Sequence, residues 1–341
     1  MVVVTGGTGY IGSHTVVELI EKGKSVVILD DLSNSRVEVL DAIEDITGVR
    51  PAFIQVDLTN ASDLKKAFEQ IGPDAESVIH FAAKKAVGES VENPLLYYRN
   101  NLVGLMNLLD EMVRFSVNHL VFSSSCTVYG QPDVIPVTEE TERKPAESPY
   151  GNTKSIAEDI IADQSNVTAL KAISLRYFNP IGAHKTGKIG ELPAGTPNNL
   201  IPYVTQTAAG IRKELSVHGS DYPTVDGTCV RDYIHVVDLA KAHLKALERL
   251  DSKDDTNGSH EFFNVGTGKG SSVLNVLKTF MEATGVDVPY RIGPRRDGDI
   301  TEIFADTSLA EKALNWKAEL SLEEALRSSW NWEKNYRKLE A

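Results

Sequence analysis

Short apolar runs alternate with helical patterns from the first residue of this chain, and the turn that joins the first pair is built on glycine. Thr5-Gly6-Gly7-Thr8-Gly9-Tyr10-Ile11-Gly12 lies between the strand-like Val2-Val3-Val4 and a helix expected from about Gly12, with glycines at 6, 9 and 12 in G-x-x-G-x-x-G spacing. Glycine there permits a tight turn, close approach of a pyrophosphate and packing of helix on strand, while the helix N-terminus faces the anion. A simple strand-to-helix turn can carry the same spacing, so the motif takes its meaning from the other residues of the chain.

The alternation continues through Ser25-Val-Val-Ile-Leu29, Ala52-Phe-Ile-Gln-Val56, Ser77-Val-Ile-His80 and His119-Leu-Val-Phe-Ser123. Apolar strands separated by helices predict βαβ units and a parallel sheet covered on both faces, an α/β doubly wound (Rossmann) domain over residues 1–179. After Leu175-Arg-Tyr-Phe-Asn179 the rhythm gives way to a Gly/Pro-rich stretch from Pro180 to Pro202. Residues 180–341 are therefore expected to build mainly a smaller, interleaved α/β domain for the substrate. Segments near 232–265 are expected to rejoin the first domain, while the strands Asp232-Tyr-Ile-His235 and Phe262-Phe-Asn-Val265 are open to either part.

With 341 residues, 41% hydrophobic and 24% charged, the chain has ordinary globular composition and length for a full core plus a second lobe. Lys and Arg number 35 against 48 Asp and Glu, a net charge of -13 with no basic run, which argues against nucleic acid as a partner. The N-terminus has no basic region, long apolar stretch or cleavage site, and no apolar run approaches the roughly 18 residues of a membrane span. Two cysteines, Cys126 and Cys229, are too few for a disulfide framework. A cytoplasmic protein without membrane attachment is expected. No metal is expected either: no Cys/His cluster has zinc spacing, and His80 and His235 read as packed neutral side chains.

The second strand ends in Asp30-Asp31, about twenty residues beyond the glycines, where a carboxylate can accept hydrogen bonds from a ribose 2′-hydroxyl. Two carboxylates repel a 2′-phosphate, so the cofactor expected is NAD rather than NADP. Asp57, after the third strand, is placed either to reach the adenine edge or to cap a helix before Leu64.

Tyr150-Gly-Asn-Thr-Lys154 sets a tyrosine and a lysine four residues apart, on one face if the segment is helical. The lysine is expected to lower the phenol pKa so that it acts as a base near neutrality, helped by a nicotinamide cation. The fifth strand ends in Ser123-Ser124-Ser125, the carboxyl end at which α/β sheets present groups to ligands.

With these motifs the chain resembles extended short-chain dehydrogenase/reductases along nearly its full length, and UDP-glucose 4-epimerases in particular. The further segments that carry the resemblance are His80-Phe-Ala-Ala-Lys-Lys-Ala-Val-Gly-Glu-Ser90, Phe122-Ser-Ser-Ser-Cys-Thr-Val-Tyr-Gly130, Ser148-Pro-Tyr-Gly151, Arg176-Tyr-Phe-Asn-Pro180, Pro197-Asn-Asn-Leu200 and Val230-Arg-Asp-Tyr-Ile-His235. The resemblance implies catalysis by Ser125, Tyr150 and Lys154: Ser125 orients the sugar O4, Tyr150 takes its proton, and C4 passes hydride to the nicotinamide. A 4-keto sugar then turns over about its pyrophosphate and takes hydride back on the other face.

By the same matching, Gly6, Gly9, Tyr10, Ile11, Gly12, Asp30, Asp31, Asn34, Asp57 and Leu58 would hold the cofactor. Phe81, Ala82, Lys85, Asn100, Ser123, Tyr150, Lys154 and Tyr177 would also line the cofactor. The UDP-sugar substrate would meet Ser125, Tyr150, Asn179, Asn199, Leu200, Ser216, His218, Arg231, Tyr233, Arg296, Asp299 and Ile303. Arginine suits a pyrophosphate because its planar fork pairs with two oxygens; of Arg295 and Arg296, only one need touch the ligand.

Cys126 stands where family members often carry alanine, and is expected to be a small buried residue rather than a thiolate. His218 stands where an aromatic ring is common. Ile303 falls at a gate position, between the bulky tyrosine of members limited to plain hexoses and the small residue of members that take N-acetylated ones. Sister enzymes such as 4,6-dehydratases and UDP-glucuronate decarboxylases place acids after the catalytic hydroxyl, where this chain has Cys126 and Thr127. A silent NAD-binding redox sensor would not need serine, tyrosine and lysine together. A homodimer pairing helices within 94–116 and 150–164 is expected by analogy with the superfamily.

Overall fold

The computed structural model describes residues 1–252, 257–296 and 299–339. The chain opens with β1 (Val2–Thr5), α1 (Tyr10–Glu21), β2 (Val26–Asp30), α2 (Val39–Thr47), β3 (Ala52–Gln55), α3 (Ala61–Ile71) and β4 (Ser77–His80). Two short helices, α4 (Val87–Glu92) and α5 (Pro94–Tyr98), lead through a π-helical turn at Arg99–Val103 into α6 (Gly104–Arg114), followed by β5 (His119–Ser125), α7 (Pro149–Val167) and β6 (Lys171–Tyr177).

These strands form a seven-stranded parallel sheet in the order β10-β6-β5-β4-β1-β2-β3, where β10 (Ser259–Val265) arrives from much later in the chain. Alternate side chains of each strand point to opposite faces. Val2, Val4, Val26 and Ile28 pack with α1, α2 and a later helix, whereas Val3, Val27 and Leu29 pack under α3, α6 and α7. Both faces are therefore dry, which is why the strands read as unbroken apolar runs. The strand order reverses between β1 and β4, and such a reversal opens a crevice at the carboxyl ends of the strands.

The rest of the chain adds β7 (Asn179–Ile181), α8 (Leu200–Ala208), β8 (Leu215–His218), β9 (Val230–His235), α9 (Val236–Asp251), β11 (Gly270–Ser272), α10 (Val273–Thr284), β12 (Tyr290–Gly293), β13 (Glu302–Ile303), α11 (Ser308–Leu314) and α12 (Leu322–Arg337). β7, β11 and β13 gather around β9, and β8 pairs with β12. A separate core of Ile181, Val204, Val217, Tyr233, Leu277, Phe280 and Leu326 holds this lobe together. The segment 232–265 divides between the two parts. Asp232–His235 stays in the small sheet because its partners β7, β11 and β13 all belong to the second lobe. The return begins at α9, whose Leu239, Ala242 and Leu247 join the core beneath α1.

Candidate active site

The glycine loop leaves β1 and enters α1 at Tyr10, two residues earlier than the glycine pattern suggests. Gly6 sits at φ +68, where a Cβ would come within 2.7 Å of the Ala82 amide nitrogen, and a Cβ on Gly12 would lie 2.2 Å from the Gly6 carbonyl oxygen. Gly9 caps α1 with no side-chain hydrogen bond, so the first-turn amides face outward with their dipole. Asp30, at the end of β2, accepts from the Thr8 amide at 3.1 Å, the Leu32 amide at 3.0 Å and the Ser35 hydroxyl at 3.1 Å. The carboxylate thus stands beside the loop, and a cradle that any Cβ would fill fits a dinucleotide pyrophosphate with its ribose at Asp30. Asp57 does not cap α3. It accepts from the Thr59 amide and hydroxyl, while Asn60 caps the helix.

Ser148 caps α7 by accepting from the Gly151 amide, and Pro149 occupies the first turn, so Tyr150 and Lys154 fall on one helical face turned toward the end of β5. Lys154 Nζ donates to the Ser123 carbonyl at 2.6 Å and to its hydroxyl at 3.3 Å, and lies 6.0 Å from the centre of the Tyr150 ring. Ser125, the last residue of β5, lies beside the Tyr150 phenol.

Burial pushes that phenol up to about 12 against the opposing pull of Ser125, and pushes Lys154 down to about 7 against the field of Glu158. The expected lowering of Tyr150 by its neighbour is therefore not what the side chains alone produce. Desolvation is the larger effect on both groups, and the ammonium points at Ser123 rather than at the phenol. Cys126 is buried and its thiol is pushed up to about 12, which leaves it packing against Val128, Phe178 and Ile303 rather than reacting.

In the second lobe, Ser216 and His218 alternate along β8, and Arg231 and Tyr233 along β9, each pair sharing one face. Arg295 turns away to pair with Asp221 at 2.7 Å and lie over the Tyr222 ring, whereas Arg296 faces the cleft and pairs with Asp299 at 2.6 Å. Asn199 precedes Leu200 at the start of α8, Asn179 opens β7, and Ile303 is buried on β13.

Every residue matched to cofactor or substrate, from Gly6 and Asn34 through Leu58, Lys85 and Asn100 to Arg231 and Asp299, lies on the wall of one cleft of about 2400 Å³. Within it, Tyr10 donates to the Gly182 carbonyl at 2.6 Å, Asn100 accepts from the Lys84 amide, and Tyr177 hydrogen-bonds His243. His80 and His235 are occupied structurally. His80 bonds the Thr5 hydroxyl, His235 caps α9, and burial lowers them to about 3 and 4.

Some cleft residues carry no sequence signal. Glu191 lies in a Gly/Pro-rich loop yet takes Lys85 at 3.1 Å and Asn199 at 2.7 Å, bridging the two parts of the wall. Phe178, Trp332 and Tyr336 reach the cleft from positions that no periodicity marks as special.

The fold and this cleft define a nicotinamide-cofactor enzyme of the short-chain dehydrogenase/reductase class, and residues 3–329 match the family model described as GDP-mannose 4,6 dehydratase. The chain is 49% identical to UDP-glucose 4-epimerase of Haemophilus influenzae over 98% of this chain and 97% of that one. The crystal structure of UDP-glucose-4-epimerase from Stenotrophomonas maltophila, with bound NAD and formylated UDP-arabinopyranose, superposes with a TM-score of 0.94 at 47% identity, covering 99% of both chains. That from Bifidobacterium longum, in complex with NAD+ and UDP, gives 0.93 at 44% identity, covering 98% of both. The chain belongs to the UDP-glucose 4-epimerase family.

Proposed function

We propose that this chain is an NAD-dependent UDP-glucose 4-epimerase, which inverts C4 of a UDP-hexose, UDP-galactose to UDP-glucose, through a transient 4-keto sugar. The observation that carries the reading is convergence: Ser125, Tyr150 and Lys154 meet at the end of β5 in the same cleft as the glycine cradle and Asp30. NAD, when bound there, takes up and returns the C4 hydride, and its cationic ring adds the positive charge that the buried phenol lacks. Ser125 holds O4 and hands its hydrogen bond to Tyr150, whose oxygen keeps the O4 proton until the sugar has turned. Lys154, pinned on Ser123, supplies an ammonium one helical turn away that favours the phenolate. The cofactor ends each turnover as it began.

Neither Cys126 nor Thr127, which come directly after Ser125, is an acid able to expel a C6 hydroxyl, and this supports epimerisation over 4,6-dehydration. Arg231 and Arg296 suit the pyrophosphate, while Asn199, Leu200, Ser216, His218 and Tyr233 suit the uridine and sugar faces of the same wall. Ile303, packed with Phe178 and Cys126, leaves more room than a tyrosine at that place, which supports N-acetylated hexoses as further substrates. A UDP-pentose is supported by the formylated UDP-arabinopyranose in the Stenotrophomonas maltophila structure.

The enzyme is read as a cytoplasmic homodimer. Both cysteines are free and buried, as suits a reducing compartment, and no helix among the described residues is long and apolar enough to cross a membrane. Val91, Leu95, Met106 and Val113 expose apolar surface along α4 to α6, which suits self-association.

Proton NMR of the protein with UDP-galactose and no added cofactor tests the activity. UDP-glucose should appear at constant total hexose. Failure even with NAD added would overturn plain-hexose epimerisation. Tyr150→Phe should retain NAD and lose turnover by about 100-fold or more.

A further inference from the structure

Behind the catalytic helix face lies a buried ion pair that the proposed reaction does not use. Tyr150, Lys154 and Glu158 succeed one another at four-residue intervals along α7, so the three side chains lie one above another. Glu158 is 1% exposed, which demands strong partners for its charge. Its carboxylate accepts from Arg176 through a two-pronged fork, Nε at 2.9 Å and Nη2 at 2.7 Å, and Arg143 approaches at 3.5 Å from the rim. Its remaining strong bond comes from the Ser124 hydroxyl, at 2.6 Å.

Ser124 lies between Ser123, on which Lys154 is anchored, and Ser125, which stands beside the Tyr150 phenol. On a strand its side chain points opposite to those two. Glu158 therefore holds the strand end from the α7 side, one turn beyond Lys154 on the same helix.

The charges around Lys154 are few. His80 of β4 is neutral, Tyr177 of β6 and Tyr150 on its own helix are protonated phenols, and Phe122 and Ser123 of β5 are uncharged. Among the described residues, Glu158 is the anion whose field at the ammonium opposes the effect of burial. Arg176 of β6 and Arg143 of the β5–α7 connection both face Glu158.

We propose that Glu158 is a positioning residue for the C4 chemistry, holding the Ser123–Ser125 strand end through Ser124 and setting a carboxylate one turn beyond Lys154 on the same helix. The proposal rests on the roles assigned to Tyr150 and Lys154 under the proposed function. Removing the carboxylate takes away the field that opposes burial at Lys154, so the limb of the pH profile that reports the ammonium moves down. A merely structural role, neutralising Arg176, would lower stability and leave the profile in place.

The test is kcat against pH, from about 5.5 to 9, for the NAD-saturated wild type, Glu158→Gln and Glu158→Asp, with NAD content measured in each. Glu158→Gln should move the optimum down by about half a pH unit or more, with a larger loss of turnover at pH 8 than at pH 6. Glu158→Asp, which keeps the charge, should keep the wild-type optimum. If Glu158→Gln does not fold, the neutral pair Glu158→Gln with Arg176→Gln takes its place and should show a smaller move in the same direction, because loss of the nearer carboxylate outweighs loss of the Arg176 cation behind it. A folded, NAD-loaded neutral variant with the wild-type optimum overturns the proposal. Lys154→Met separates this from failure of the underlying reading. If it turns over normally, the catalytic assignment itself is wrong; if it is inactive while the neutral variant keeps the wild-type profile, only the role of Glu158 falls.

Discussion

Lys154→Met should make the protein more stable at neutral and acidic pH while removing its activity. The ammonium is 4% exposed, and burial brings its midpoint from an ordinary 10.5 down to about 7. Between those values the unfolded chain holds a proton that the folded chain has released, so folding stability rises with pH over that interval, at about 1.4 kcal/mol per pH unit. Below pH 7 both states are protonated and the full burial penalty, about 5 kcal/mol, weighs on the folded state. Methionine fills the same channel without charge but gives up the bond to the Ser123 carbonyl, a loss of about 2 kcal/mol. The variant should therefore lead the wild type by about 3 kcal/mol at pH 6, and that lead should shrink by about 3 kcal/mol between pH 7 and 9. Urea unfolding of both proteins at saturating NAD, at pH 6, 7, 8 and 9, reads this directly. Parallel stability curves for the two proteins would refute the reasoning, since no charge would then be held out of water at a cost.

Gly12→Ala places a Cβ 2.2 Å from the Gly6 carbonyl and should strip the purified protein of most of its NAD, whereas Gly88→Ala, with open space around it, should not. Cofactor released on denaturation and quantified by absorbance distinguishes them. Arg231→Ala should raise KM and weaken UDP binding by about 10- to 100-fold, with kcat less affected, as calorimetry and initial rates would show. His14, His80, His235 and His243 are buried and held near 3 to 4, chiefly by desolvation, so they are neutral in the folded protein. As pH falls below 6.5 the unfolded chain gains protons that the folded chain refuses, and each imidazole removes about 1.4 kcal/mol per unit. Together they should remove on the order of 8 kcal/mol within about 1.5 pH units, comparable to the stability of a whole domain. Circular dichroism should show unfolding between about pH 6 and 4.5, and a native spectrum at pH 4 would contradict this.

The parts legible in the sequence are those whose physics is local. Glycines at 6, 9 and 12 announce a turn that no side chain can enter, and two-faced burial of the sheet writes its strands as plain apolar runs. The four-residue interval from Tyr150 to Lys154 is a statement about one helix, and Ser148 and Pro149 start that helix in the right place. Local reading left a helix cap open: Asp57 and Asn60 are three residues apart with similar side chains, and only backbone geometry gives the cap to Asn60.

Long-range packing decided the rest. That β9 stays in the second lobe while α9 and β10 return to the first depends on which strands it meets, and those lie far away in the chain. Nothing near Glu191 indicates that it joins Lys85 to Asn199, and nothing near Glu158 indicates that it meets Arg176 and Ser124 across a sheet. The pKa values of the catalytic pair are the clearest case. Spacing alone suggests a lysine that lowers its tyrosine, but desolvation is set by everything that closes over the two groups, and burial raises the phenol and lowers the ammonium. The sequence by itself determined the residue types, their local conformations and the chemistry open to them. Only the tertiary structure decided how far water is excluded from each group, because dielectric environment belongs to the packed assembly and to no single stretch of chain.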